Sequence, residues 1–353
     1  MHPMLPWEPL LTIERAGLPE RTQYGLLAVT GGKTADGAPL IQSGQLSTPL
    51  WSRSLLKPWQ LLCMLPALKK AYPDLTHLHY AMMLSSHQAD RLQVNLLEDI
   101  MKIAGITENQ LQCPPSYSLS GARKQEMVSQ DLPARPLLHP CSGKHLGVLL
   151  ALKAEGRTTS AYLNKSNVLY TATKKLVMYL LEADSNTTKF LETPDGCGMP
   201  NYALTAKDLA TLFYQLSWES PLHHLELPPE SLKPAIACWP DLKAILEKQA
   251  PLIGGAGRLD TRLIQGDLSD RKDIKLLAKE GADGLLGVSV YPTPAFPEGL
   301  GILIKLAAGH DKDILETLII EILEQLSLRR EPREEASGLK THVHFQIPIG
   351  EFV

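Results

Sequence analysis

The segment Arg53-Ser54-Leu55-Leu56-Lys57-Pro58 is where the pattern of the chain changes. Before it the residues read as strands. Residues 9–15 and 24–30 are apolar and rich in Leu, Ile, Thr and Val, and Gly17 and Pro19 separate them. Thr34-Ala35-Asp36-Gly37 is a turn signal, followed by another strand-like run to about Leu46. Pro58 then demands a helix start, because proline lacks an N–H and fits a helix only in its first turn. Beyond it, residues 58–71, 89–104, 119–130, 146–155, 168–183 and 205–217 carry apolar side chains three or four apart, which predicts helices. His77 to Leu84 predicts one strand among them.

Strands return after the Gly254-Gly255-Ala256-Gly257 break, at Leu285–Tyr291 and Leu300–Leu306. Asp311 to Leu328 predicts an amphipathic helix with Ile314, Leu318, Ile322 and Leu326 on one face. Thr341 to Ile349 alternates like a final edge strand. The expected fold is therefore α/β, with a sheet built from both chain ends and a helical middle. The C-terminal helix is expected to cover one face of that sheet. One domain over 1–353 is expected, its α/β part about 1–57 plus 255–353 and its helical part about 58–254.

The 353 residues hold 35 Lys+Arg against 38 Asp+Glu, a net charge of -3, so no basic excess points to nucleic acid. With 44% hydrophobic residues the chain is too apolar to be disordered. The start MHPMLPWEPL has neither a basic nor an apolar leader region, and no run nears the ~18 apolar residues of a membrane span. Five cysteines, at 63, 113, 141, 197 and 238, are too few and too odd in number for a disulfide framework. A reducing, cytoplasmic setting is expected.

Four segments can carry chemistry. Ser54 lies at the start of the helix that Pro58 implies, where free N–H groups favour negative charge. Lys57, three residues on, can reach the same side as a base for a serine nucleophile. The competing reading is that Ser54 is only an N-cap. Leu84-Ser85-Ser86-His87-Gln88-Ala89-Asp90 reads as a strand-to-helix corner that can carry functional side chains; the competing reading is that Ser86 or His87 caps the next helix. Cys141-Ser142-Gly143-Lys144-His145 and Asp195-Gly196-Cys197-Gly198-Met199-Pro200 are cysteine turns flanked by glycine. Two thiolates and a third group can bind zinc, a cysteine can act as nucleophile with His145 or His87 as base, or both cysteines can be packing residues. Cys63, Cys113 and Cys238 read as packing residues. Lys279-Glu280-Gly281-Ala282-Asp283-Gly284 puts a lysine just ahead of the strand 285–291, either entering a cleft or solvated in a turn.

Taken together, these stretches resemble the L-asparaginase II family of Ser-Lys type. The resemblance rests on RSLLKP (53–58), SSH (85–87), LQCPP (111–115), CSGKH (141–145), DGCGMP (195–200), GRLDT (257–261) and KEGADG (279–284), in the family's order. It implies a serine β-lactamase-like fold and hydrolysis of L-asparagine to L-aspartate and ammonia. It implies two Ser-Lys pairs, Ser54 with Lys57 and Ser86 with Lys279. It also implies zinc on Cys141, Lys144 and Cys197, and a homodimer. Arg53 and His145 are then candidates for the substrate carboxylate, and Asp195 for its ammonium. The chain departs from the family pattern at Pro19-Glu20-Arg21-Thr22-Gln23-Tyr24 and at Gln88-Ala89-Asp90. Two other readings compete: a β-lactamase-like serine hydrolase of another amide or ester, and a non-catalytic zinc-binding protein on the same fold.

Overall fold

The computed structural model describes residues 6–31, 40–183, 190–223, 225–332 and 338–345. The turn expected at 34–37 and the last four residues of the strand expected at 341–349 lie outside them. The strands are β1 (Glu8–Arg15), β2 (Leu18–Thr30), β3 (Ile41–Ser43), β4 (Pro49–Trp51), β5 (Glu192–Pro194), β6 (Pro200–Thr205), β7 (Leu276–Gly281), β8 (Leu285–Val290), β9 (Leu300–Leu306) and β10 (Leu339–Val343). The helices up to β6 are α1 (Lys57–Ala71), α2 (His77–Leu84), α3 (Arg91–Ala104), α4 (Gly121–Ser129), α5 (Ser142–Ala154) and α6 (Val168–Leu180). After it come α7 (Ala206–Gln215), α8 (Lys233–Ala237), α9 (Trp239–Lys248), α10 (Ala250–Ile253), α11 (Leu259–Gln265) and α12 (Lys312–Gln325).

The chain forms two compact units, one of residues 1–55, 203–218 and 262–353, the other of residues 56–202 and 219–261. The first unit holds an antiparallel sheet in the order β10-β1-β2-β9-β8-β7, with β3 on β2. The chain ends meet as the alternation of 341–349 implies: Leu11 pairs with Val343 and Arg15 with Leu339, so β10 is an edge strand. This is the expected α/β architecture, with an antiparallel sheet from both ends and the helical stretch between them in sequence. Residues 203–218 are a difference. They read from sequence as part of the helical middle, yet they run with the sheet. Helix α7 packs on β2, β8 and β9, because Gly287 and Gly301 leave no side chain in its way. Helix α12 is amphipathic as expected and buries Ile314, Leu318 and Ile322.

The second unit is mostly helical. Its α1 begins where Pro58 requires, after a single 3-10 turn over Arg53–Leu56. The strand expected at His77–Leu84 is instead helix α2. The physical reason lies at its start: the Thr76 N–H donates to His79 Nδ1 at 3.0 Å, closing a capping box that orients the first turn as a helix. Five consecutive buried residues, Tyr80 to Leu84, then follow. A short apolar run of that kind has no period that separates strand from buried helix. Among the described residues, no helix is long and apolar enough to cross a membrane.

Candidate active site

Ser86 sits in a non-helical corner between α2 and α3, so the corner is helix-to-helix and not strand-to-helix. Neither Ser86 nor His87 caps α3. Asp90 does, accepting from the Gln93 N–H at 2.8 Å. The Gln93 amide oxygen returns the bond to the Asp90 N–H and also holds the Gln88 N–H. The Ser86 N–H donates to the carbonyl of Ile253, 2.8 Å away at the end of α10. The glycine break expected after α10 has a use here. Gly255 has φ +122°, and a Cβ on it would lie 2.7 Å from the Gln88 amide carbon, so the glycine break closes directly on this corner.

Lys57, in the first turn of α1, points its amine at the same corner. Its side chain is 1% exposed. Lys57 Nζ donates to the carbonyl of Ser85 and to Ser86 Oγ, the latter at 3.1 Å. The lysine of the first expected Ser-Lys pair therefore touches the serine of the second. Ser54 lies half-buried in the 3-10 turn. Arg53 beside it has φ +49°, a left-handed backbone unusual for a residue with a Cβ. Its guanidinium forms an ion pair with Asp283 of the KEGADG segment. Lys279 was expected just ahead of a strand, entering a cleft or solvated in a turn. It is instead inside β7, fully buried, opposite Gly287 of β8. Its Nζ donates to the Glu280 carbonyl at 3.1 Å. The strand β7 lies at the end of the sheet order.

Cys141 and Cys197 are brought together. Cys141 ends the turn before α5, and Cys197 sits in the loop between β5 and β6. Both thiols are buried and hydrogen-bonded to each other. The bond from Cys197 holds Cys141 well below the usual thiol range, helped by the charges of Lys57 and Lys144 and by a hydrogen bond to His139. The same bond and burial push Cys197 up. Burial opposes the charge on Lys144, but Cys197, Cys141 and Asp195 outweigh it and raise the ammonium above its ordinary value. Asp195 itself is half-buried. Its carboxylate accepts from the Gly196 N–H at 2.9 Å.

Two histidines are held neutral here. Burial, then the charge of Lys57, pushes His87 down to about 3, with Cys141 and His139 as its other charged or titratable neighbours. Burial, then Lys144, pushes His145 down to about 3. Nδ1 of His145 is 2.6 Å from the Tyr162 hydroxyl, while its buried Nε2 has no hydrogen-bond partner among the described residues. In the unfolded chain both would titrate near 6.5. Below that pH the unfolded state binds more protons than the folded one, so stability falls as pH drops from 6.5 toward 3. The thermal midpoint is expected to decline steadily from neutral pH to about pH 4. A flat midpoint over that span would contradict the burial of both rings.

Ser142, His139 and Tyr162 have no role in the sequence reading, although Ser142 lies inside CSGKH; His87 entered it only as a helix cap or as a base for a cysteine. The other cysteines behave as packing residues. Cys113 donates to the Pro136 carbonyl at 3.3 Å, and burial pushes both Cys113 and Cys63 up to about 12. Among the described residues no three His, Cys, Asp or Glu side chains gather as a metal site. The family resemblance supplies Lys144, which is hydrogen-bonded to Cys197, as a third donor beside the two cysteines. Two sulfurs and one amine suit zinc and leave a fourth position open. The donor set fits, on condition that Lys144 gives up its proton.

Comparison with known proteins completes the description. The model of the L-asparaginase II family matches residues 11–351. No curated protein matches significantly. Among solved structures, a Bacillus subtilis glutaminase in covalent complex with 5-oxo-L-norleucine is similar over 90% of this chain and 93% of its own, at 14% identity and TM-score 0.40. FmtA from Staphylococcus aureus is similar over 94% of this chain and 88% of its own, at 11% identity and TM-score 0.37. Simvastatin synthase from Aspergillus terreus covers 91% and 95%, at 13% identity and TM-score 0.34.

Proposed function

The chain belongs to the L-asparaginase II family, and from that premise we propose that it hydrolyses L-asparagine to L-aspartate and ammonia through a serine acyl-enzyme. The observation that carries the mechanism is the buried contact between Lys57 Nζ and Ser86 Oγ at 3.1 Å. That is the reach a base needs toward a hydroxyl proton. In the amine form Lys57 keeps N–H groups for the Ser85 carbonyl and has a lone pair that can accept the proton of a serine hydroxyl.

A serine oxygen attacks the side-chain amide carbon while its proton passes to a lysine amine. The C–N bond then breaks, the proton goes to the departing nitrogen, and ammonia leaves a serine ester. Water attacks the ester and gives a proton to the same amine; the C–O bond to serine breaks, the amine returns that proton to the serine oxygen, and L-aspartate leaves. The family motifs assign these roles to Ser54 with Lys57 and to Ser86 with Lys279. N–H groups at the Ser54 turn are the candidates for oxyanion donors.

Cys141, Lys144 and Cys197 would hold zinc, whose positive charge would help to seat the substrate. For the substrate's own charges, Asp195 is the candidate for the α-ammonium. Arg53 is already engaged by Asp283. His145 is neutral, so toward the carboxylate it would offer an N–H and no charge. Its unpartnered Nε2 is the buried polar atom that such a contact would satisfy. A homodimer remains part of this proposal on family grounds.

The test is ammonia release by purified protein from L-asparagine, L-glutamine and short amides, with zinc measured on the same sample. Asparagine is expected to be the best substrate, with a zinc content of about one per chain that falls in Cys197→Ser. Silence on every amide would overturn the proposal.

A further inference from the structure

The imidazole of His87 is fully buried and makes a hydrogen bond through each nitrogen. The Ala89 backbone N–H donates to Nδ1 at 3.2 Å. Nε2 lies 2.9 Å from Ser142 Oγ, and Ser142 Oγ lies 2.7 Å from the Leu137 carbonyl, to which it donates. The proton positions along this chain are decided at its two ends. A backbone N–H can only donate, so Nδ1 must carry no proton. A carbonyl can only accept, so the single hydroxyl proton of Ser142 points at Leu137. Ser142 Oγ must then accept, and the ring proton sits on Nε2. An imidazolium would set two donors face to face at Ala89.

The chain connects two parts of the candidate site. At one end is the corner that holds Ser86, whose backbone would otherwise be held at Ser86 by Ile253 and at Gln88 and Asp90 by Gln93. Ala89 between them has φ +57°, a left-handed conformation for a residue with a Cβ, and the His87 ring is what takes its N–H. At the other end is the start of α5, with Cys141 immediately before Ser142 and Lys144 two residues after it. A second feature presses these parts together: a Cβ on Gly143 would overlap the Met82 carbonyl and sit 3.4 Å from a Leu97 methyl.

We propose that His87 is a positioning residue, a neutral Nε2–H imidazole that locks the Ser86 corner to the start of α5 through Ser142. It rests on the amidohydrolase reading of Ser86. His87 does not act as a base toward either cysteine or serine, since both nitrogens are committed. Its effect is on the placement of Ser86 relative to Lys57 and the thiol pair. Misplacement of a reacting group by a fraction of an ångström to an ångström lowers turnover far more than it lowers affinity.

The experiment has a kinetic and a spectroscopic arm, both on the full chain. Ser142→Ala and His87→Gln are each expected to lower kcat for asparagine roughly 10- to 100-fold with KM within about twofold of wild type. The double variant should be no worse than the poorer single one, because both break one chain. The pH profile of the remaining activity should keep its shape, which loss of a general base would not allow. The ¹⁵N spectrum of the wild-type His87 ring should show the neutral Nε2–H tautomer from mildly acidic to alkaline pH. An Nδ1–H tautomer, an imidazolium at neutral pH, or a folded Ser142→Ala variant with unchanged kcat would overturn the inference. The spectrum needs no variant to fold. Wild-type protein silent on all amides would overturn the amidohydrolase reading, and with it the catalytic consequence, while the spectrum still decides the hydrogen-bond chain by itself.

Discussion

Lys57→Met lowers kcat for asparagine by at least ~10³-fold while the protein stays folded. The size of the effect follows from what is removed. The amine that takes and returns a proton in both halves of the reaction is removed, so both acylation and deacylation stall. Folding is expected to survive because the Lys57 side chain is already 1% exposed and methionine fills much of the same volume. The loss of its contacts with the Ser85 carbonyl and Ser86 Oγ leaves two polar groups short. Removing a buried charge works in the opposite direction. The two contributions make the net change in stability small beside the change in rate.

Ser86→Ala tests the other end of the same contact and should be as damaging. The pair can also be tested together. If Lys57 and Ser86 act as one unit, the double variant loses no more than either single one, as expected for groups that share a step. Lys57→Met has a second consequence that needs no substrate. Lys57 helps to hold the Cys141 thiol down, so without it that thiol should react more slowly with an alkylating reagent at neutral pH. Kinetics of ammonia release, the thermal midpoint and the alkylation rate together check the role. Folded Lys57→Met with near wild-type kcat would remove the lysine from the mechanism.

Much of this site was legible in the sequence because its parts are local. Pro58 constrains where α1 starts, and so places Lys57 in a first turn. Cys197 stands between two glycines and Cys141 two residues before one, which marks both as turn residues, although their meeting joins two distant turns. What escaped is non-local or depends on burial. Ser142 and Tyr162 matter through partners about fifty residues away, His87 and Gln112, which no spacing rule detects. His77–Leu84 was misread because Tyr80 to Leu84 are all buried, and an element buried all round loses its amphipathic period. Lys279 read as a turn or cleft-entry residue because adjacent charges, Lys279-Glu280, seldom occupy a strand interior. Both are buried in β7 at 0% and 2% exposure, and only their environment in the folded sheet explains how. The place of α7 was equally hidden. Its helical period was plain, but the surface it would find depended on two glycines in strands far along the chain.

Those glycines give the largest expected change in stability. Gly301→Ala destabilises the protein by roughly 3 kcal/mol or more, at the top of the range for overpacking. Gly301 lies in β9, paired with Thr30 of β2 on one side and Ser289 of β8 on the other. A Cβ there would overlap the Ala210 carbonyl and the Tyr214 amide nitrogen and lie 2.9 Å from Tyr214 Cα. All three are backbone atoms of α7, so no rotamer change relieves the clash and the helix must lift from the sheet. At Gly287 of β8 the obstacle is the Phe213 ring, with Cδ2 at 2.5 Å. A ring can turn or be removed, so Gly287→Ala should be partly rescued by Phe213→Ala, whereas no side-chain truncation rescues Gly301→Ala. Gly121→Ala in α4 is the control. Nothing lies within 4 Å of its added methyl group, and alanine favours a helix over glycine by up to about 1 kcal/mol. Urea midpoints at constant m measure all four variants. Because Gly287 is the strand partner of Lys279, lifting α7 should also disturb β7, and Gly301→Ala is expected to lose activity before it unfolds. A Gly301→Ala protein within about 1 kcal/mol of wild type would mean that α7 does not rest on β9 at this point.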